Sequence, residues 1–287
     1  TVLIALMRYL TQKDAALTVV DTHAGAGLYR LDGDYAGTSG EAADGVVKLF
    51  AAQAPASPVK PAIKEVAPLL QDYMETVIGF NAPKQLKIYP GSPFIVQRLL
   101  RQEARDKLKL FEMHPTDIKS LAANVAQLEA GRQVAVARDD GFEGLKAFLP
   151  PPARRALVLI DPSYEIKSDY AKVSACIRDS LQRFATGTYA VWYPVIARPE
   201  AHDLPRKLKT LANQAGKPWL HATLAIGQDE ERNIPGEPNS RHGLTASGMF
   251  IINPPHTLKA ALQPALIQML QVLGRGRGKE QALESGG

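Results

Sequence analysis

Cysteine is almost absent from this sequence. The 287 residues contain one, Cys176, which excludes an internal disulfide framework and a cysteine-based metal cluster. It falls in a helical-looking stretch and reads as a buried thiol rather than a nucleophile. Long apolar runs are missing too. None approaches the ~18 residues that would cross a bilayer, and no secretory leader is visible. A soluble, cytoplasmic monomer without membrane association is therefore expected. No clustered His, Asp and Glu motif points to metal chemistry, so no metal is expected. No long internal repeat stands out. The first residue is Thr1 rather than Met, so this end reads as cut or processed.

What is present is ordinary for a globular chain: 45% hydrophobic and 22% charged residues. A net charge of +5 points modestly to a polyanionic partner. The organising stretch is Ala156-Leu157-Val158-Leu159-Ile160 followed by Asp161-Pro162-Ser163-Tyr164. The apolar run reads as a buried parallel strand. An acid, a proline and an aromatic at its carboxyl end stand where open α/β sheets bind ligands. They resemble the Asp-Pro-Pro-Tyr motif of amino-methyltransferases, and the chemistry explains the residue types. The N6 amine of adenine is a poor nucleophile because its lone pair is delocalised into the ring. A carboxylate (Asp161) and a carbonyl (that of Pro162) accepting its two N–H bonds favour a localised lone pair. Tyr164 could stack on the extruded base. A strand closed by an Asp-Pro turn with no catalytic role would carry the same residues.

The remaining chain alternates in the α/β manner. Residues 2–10 read as a helix. Leu17–Val20 is a strand closed by Asp21-Thr22-His23-Ala24-Gly25-Ala26-Gly27. Such a glycine turn lets a ligand approach the backbone. The dinucleotide fingerprint is not met, because Arg30 stands where its third glycine belongs. Residues 41–88 break the alternation and read as a mostly helical insertion around a linker carrying Pro55, Pro58 and Pro61. Tyr89-Pro90-Gly91-Ser92-Pro93 opens a helix through about Arg105, with Ser92 either its N-cap or a ligand contact. Leu108–Phe111 is a strand ending in Glu112, an acid placed to accept two ribose hydroxyls. A helix over 116–129 follows, with Thr116 and Asp117 at its start. Val134–Ala137 is a strand followed by Asp139-Asp140-Gly141-Phe142, whose acid could reach a cofactor amine. Each acid reads equally as a helix cap or loop charge. Further strands are expected at Thr188–Tyr193, Leu220–Ile226 and Met249–Ile252, and helices at 170–184, 199–215 and 257–273. Residues 228–243 read as a polar loop. Asn253-Pro254-Pro255-His256 mimics the catalytic motif, but it lacks the aromatic and closes the last hairpin. The tail from Gly274 to Gly287 is expected to be disordered.

Taken together, Asp21–Gly27, Tyr89–Pro93, Glu112-Met113-His114-Pro115, Asp140-Gly141-Phe142, Arg183-Phe184-Ala185-Thr186-Gly187, Trp192-Tyr193-Pro194 and Leu244-Thr245-Ala246-Ser247-Gly248-Met249 resemble the bacterial ribosomal RNA large subunit methyltransferase J family. The resemblance runs from Thr1 to about Pro255. It implies a Rossmann-like class I methyltransferase fold: a seven-stranded, mostly parallel sheet over 1–40 and 89–273, with the 41–88 stretch as a helical insertion subdomain. It implies methylation of N6 of one adenosine in 23S ribosomal RNA, with S-adenosylmethionine as donor. His23, Ser92, Glu112, Asp140 and Gly141 would hold that cofactor, with Gly25 in the glycine turn and Asp161 beside it. Asp161 would be the catalytic acceptor, assisted by Pro162 and Tyr164. Two departures stand out. Family members begin earlier, with a segment that contributes to the site, and they carry Pro where Ser163 stands here. The rival readings are a methyltransferase of DNA adenine or of protein glutamine, and a nucleic-acid-binding protein linked to the use of external DNA as a nutrient.

Overall fold

The strand Ala156–Ile160 (β6) has five consecutive buried residues. That pattern arises when both faces of a strand are covered. Its side chains divide by parity: Leu157 and Leu159 join one apolar cluster, while Ala156, Val158 and Ile160 join another on the opposite face. Thr18–Asp21 (β1) divides likewise, with Val19 in the first cluster and Val20 in the second. Each buried Leu, Val or Ile contributes roughly 1.5–3 kcal/mol, so these two short strands anchor the molecule. The computed structural model describes residues 1–32, 42–52, 65–83, 85–228 and 243–287.

The other elements of the main sheet are Lys107–Phe111 (β4), Val134–Ala137 (β5), Thr188–Pro194 (β7), Trp219–Gln228 (β8), Ala246–Ile252 (β9) and Arg277–Gly286 (β10). Leu28–Arg30 (β2) and Ile88–Pro90 (β3) form a separate antiparallel pair. The main order is β10-β8-β9-β7-β6-β1-β4-β5. Pairs β1–β4, β1–β6, β4–β5 and β6–β7 are parallel, and β7–β9, β8–β9 and β8–β10 antiparallel. The chain runs outward on both sides of the β1/β6 boundary. That is the topological switch point, where open α/β sheets place their ligands.

The helices cover both faces. Val2–Leu10, Pro68–Ile78, Ser92–Leu99 and Leu258–Leu273 pack on one, and Ser168–Arg183 and Pro199–Gln214 on the other. The described part of the 41–88 stretch contributes Val46, Leu49, Leu70, Met74 and Val77 to the same cluster as β1 and β6. The β2–β3 pair joins Leu28–Arg30, which precede that stretch, to Ile88–Pro90 at its close. Its proline-punctuated middle and nearly all of the 228–243 loop lie outside the described residues.

Three expectations need correction. The sheet has eight strands, not seven, and the eighth is the tail expected to be disordered. β10 pairs with β8 from Arg277↔Gln228 to Gly286↔Trp219, Leu283 packs against the core, and Glu284 pairs with Lys209. Backbone hydrogen bonds to an open edge order a polar strand that has little apolar content of its own. The helix opened by Ser92 stops at Leu99 rather than near Arg105. There the buried carboxylate of Asp106 takes both the backbone N–H and the guanidinium of Arg101. Ser92 is not the N-cap; Gly91 is.

Candidate active site

Register alone assembles the acids. Asp21, the last residue of β1, lies level with Leu159 on β6 and Leu110 on β4. Asp161 and Glu112 therefore emerge two residues further on, to either side of it. Phe111 lies level with Ala137 on β5, so Asp140 enters from the next strand. Backbone bonds stitch the ends together: Thr22 N–H to the Leu159 carbonyl (3.0 Å) and Ala24 N–H to the Phe111 carbonyl (2.9 Å). Asn253 stands at the opposite end of the strands, by the start of β7, because β9 runs antiparallel to β7. Its amide is consumed by the carbonyls of Ala185 and Gly187 (2.9 and 2.7 Å). The Asn-Pro-Pro-His tetrad is thus a structural anchor.

The glycine turn is bonded to its neighbours. Glu112 accepts Gly25 N–H on Oε2 (2.8 Å) and His114 N–H on Oε1 (2.6 Å). Gly25 has φ +60°, a conformation that glycine adopts at no steric cost. Asp140 caps the short helix after β5 by accepting Phe142 N–H (2.8 Å). A Cβ on Gly141 would overlap the Thr22 carbonyl, so only glycine brings that helix onto the end of β1. His23 packs edge-on against Phe142 with centroids 4.7 Å apart. Its Nδ1 lies 2.8 Å from the Thr22 hydroxyl. Burial pulls its pKa down to about 4, so the imidazole is neutral at physiological pH.

Ser92 Oγ–H donates to Asp21 Oδ2 at 2.6 Å. Asp21, absent from the expected site residues, is fully buried, and burial raises its pKa to about 6. The acid that opens the glycine turn was the visible signal for it. Asp161 differs from Asp21. Its carboxylate remains accessible although protein crowds round it. Burial, and secondarily the Asp21 charge, push its pKa up to about 7. No side chain or backbone group among the described residues hydrogen-bonds to this carboxylate.

Pro162 is buried, and its carbonyl likewise accepts no hydrogen bond among the described residues. Tyr164 is turned inward. It is 2% exposed, its phenol donates to the Trp192 carbonyl (2.6 Å), and its ring lies 4.7 Å from that of Tyr170. In this conformation it offers no open face to a base. Its φ of +56° costs roughly 1–3 kcal/mol in a non-glycine residue, so the surrounding contacts must hold it. Arg198 spends its guanidinium here. Nη1–H donates to the Tyr164 carbonyl (3.0 Å) and the Glu165 carbonyl (3.4 Å).

Ser163 is exposed between these two buried residues, so replacing the family's proline there removes no packing. Cys176 is buried, and burial pushes its thiol up to about 12, as expected of an inert thiol. Among the described residues no group of three or more His, Cys, Asp or Glu side chains could hold a metal ion. No helix among them is long and apolar enough to cross a membrane. The strand ends thus gather several carboxylates, of which that of Asp161 has no hydrogen-bond partner among the described residues.

Comparison with known proteins bears on this arrangement. The family model described as Ribosomal RNA large subunit methyltransferase D, RlmJ matches residues 14–283. Ribosomal RNA large subunit methyltransferase J of Escherichia coli is 37% identical over 266 residues, covering 93% of this chain and 85% of that protein. Its Haemophilus influenzae counterpart is 35% identical over 276 residues, covering 95% and 87%. A crystal structure of a Legionella pneumophila protein superposes with a TM-score of 0.79 at 30% identity, covering 99% of this chain and 94% of that one.

Proposed function

Because the chain belongs to the RlmJ family of ribosomal RNA large subunit methyltransferases, we propose that it methylates N6 of an adenosine in 23S ribosomal RNA, using S-adenosylmethionine. The observation that carries the reading is the accessible, unpartnered carboxylate of Asp161 beside an equally unpartnered Pro162 carbonyl at the switch point of the sheet.

The site suits that cofactor. It carries carboxylates and a neutral His23, a lining compatible with a sulfonium. Glu112 spends one lone pair of each oxygen on a backbone N–H, leaving acceptor capacity for two ribose hydroxyls. Asp140, Gly141, His23, Ser92 and Gly25 complete the proposed cofactor set, with Ser92 acting through Asp21. When bound, S-adenosylmethionine supplies an electrophilic methyl group.

The chain's own residues prepare the acceptor. The target base has to leave its stack to reach Asp161. The Asp161 carboxylate takes one amine N–H and the Pro162 carbonyl the other, which localises the nitrogen lone pair. A carboxyl with a pKa near 7 is also matched to receive the proton that the amine sheds. The proposal includes a cytoplasmic monomer, in keeping with an rRNA substrate.

N6-methyladenosine mapping of 23S rRNA from cells with and without the gene tests the reading, and one modified position should disappear with the gene. The purified protein offered rRNA, duplex DNA and protein together should label rRNA. Label appearing in DNA or protein instead would overturn the acceptor assignment.

A further inference from the structure

The catalytic motif is held in place from outside. Tyr164 sits in the left-handed region, directly after the segment that presents Asp161 and the Pro162 carbonyl. Its phenol is fastened to β7 through Trp192, while its own carbonyl and that of Glu165 are fastened to Arg198. The Arg198 backbone is fixed as well. Its N–H donates to the Ile196 carbonyl (2.7 Å), and its carbonyl accepts from Ala201 and His202 in the first turn of the Pro199–Gln214 helix. That helix packs on the Ser168–Arg183 helix, which begins just beyond the motif. Lys167 and Glu200 add a loose ion pair (4.0 Å) across the same gap. Arg198 thus bridges a rigid helix start to the loop that carries the acceptor groups, without touching those groups.

We propose that Arg198 is a positioning residue for methyl transfer: it clamps Tyr164 in its left-handed conformation and so fixes the spacing of the Asp161 carboxylate and the Pro162 carbonyl. The proposal rests on the methyltransferase reading above. It also argues against a phosphate contact by Arg198, because its side chain is half-buried and directed at carbonyls of its own chain.

The experiment compares Arg198→Ala and Arg198→Lys with the parent chain. A misplacement of about 1 Å costs on the order of a hundredfold in rate. Arg198→Ala should therefore lower kcat by roughly 10- to 100-fold. KM for rRNA, cofactor affinity and the salt dependence of RNA binding should hardly change. Lysine can still reach the two carbonyls, so Arg198→Lys should recover much of the loss. Hydrogen–deuterium exchange over residues 162–168 gives a readout that needs no substrate: exchange should quicken in Arg198→Ala and slow again in Arg198→Lys. Unchanged exchange would overturn the clamp whatever the acceptor proves to be. So would an unchanged kcat accompanied by weaker RNA binding and a shallower salt slope, which is the signature of a phosphate contact. If the parent chain methylates no rRNA, the functional reading fails, while the exchange comparison still decides the clamp.

Discussion

Replacing Asp161 with Asn should make the protein more stable above neutral pH, although it alters the group assigned to the acceptor amine. The carboxyl keeps its proton to about pH 7 in the folded chain, against 3.8 ordinarily. Between those values the unfolded chain has released a proton that the folded chain still binds. Ionisation therefore favours unfolding, and stability falls as pH rises through that window, remaining lower above it. Asparagine has nearly the same shape and does not titrate, so the loss disappears. For a carboxyl sealed from water, a pKa moved from 3.8 to about 7 corresponds to ~4 kcal/mol. Asp161 is accessible, and solvent screening reduces the expectation to ~1–2 kcal/mol. For a chain of this size each kcal/mol moves Tm by about 2–4 °C. Scanning calorimetry at pH 8 should therefore place Asp161→Asn roughly 2–8 °C above the parent, with the gap narrowing steadily towards pH 5. A variant equally or less stable at pH 8 would show that the carboxylate is well solvated, or that it has a partner which asparagine cannot satisfy.

Glu112→Ala should weaken S-adenosylmethionine binding at least about tenfold, since charge-assisted hydrogen bonds contribute roughly 1.5–3 kcal/mol each. Asp161→Ala should abolish turnover while sparing that affinity more. Calorimetric titration of both variants checks the division, and an unchanged affinity for Glu112→Ala would remove Glu112 from the site. Affinity for rRNA should fall steeply with salt as phosphates are neutralised and counterions released; a flat dependence in filter binding would favour a protein or small-molecule acceptor. Gly141→Ala should cost about 1–3 kcal/mol of stability by overpacking, because the new methyl meets the Thr22 carbonyl, and a thermal melt indistinguishable from the parent would refute that close approach.

The legible parts of this molecule are those in which local sequence and tertiary demand agree. Ala156–Ile160 has no polar residue to put anywhere, so a strand covered on both faces is the only economical outcome. The acids after β4, β5 and β6 could be read as neighbours because strand ends in such sheets converge, whatever the loops between them do; Asp21 at the end of β1 was missed. β10 was hidden for the opposite reason. Its order comes from the unpaired edge of β8, 49 to 67 positions earlier in the chain, and nothing in Gly274–Lys279 announces that partner. Ser92 shows a finer limit. Its place in the chain marks it as a candidate for the site, but whether its hydroxyl meets a ligand or Asp21 depends on how β1 and the Ser92–Leu99 helix are juxtaposed.

Tyr164 carries the same limit into the mechanism. An aromatic after Asp-Pro-Ser is easily read as a stacking surface. Its left-handed backbone and its bond to Trp192, neither visible in residue types, turn the ring into the wall between β7 and the Ser168–Arg183 helix. An inward ring and an accessible carboxylate have one origin. With the backbone reversed at Tyr164, the aromatic is spent on fastening the loop, and the two acceptors before it are left without partners. On this account the motif is prepared for its substrate chiefly by what the surrounding strands and Arg198 prevent it from doing. On the proposed function, a buried tyrosine beside an unsatisfied acid is the arrangement expected before a base arrives.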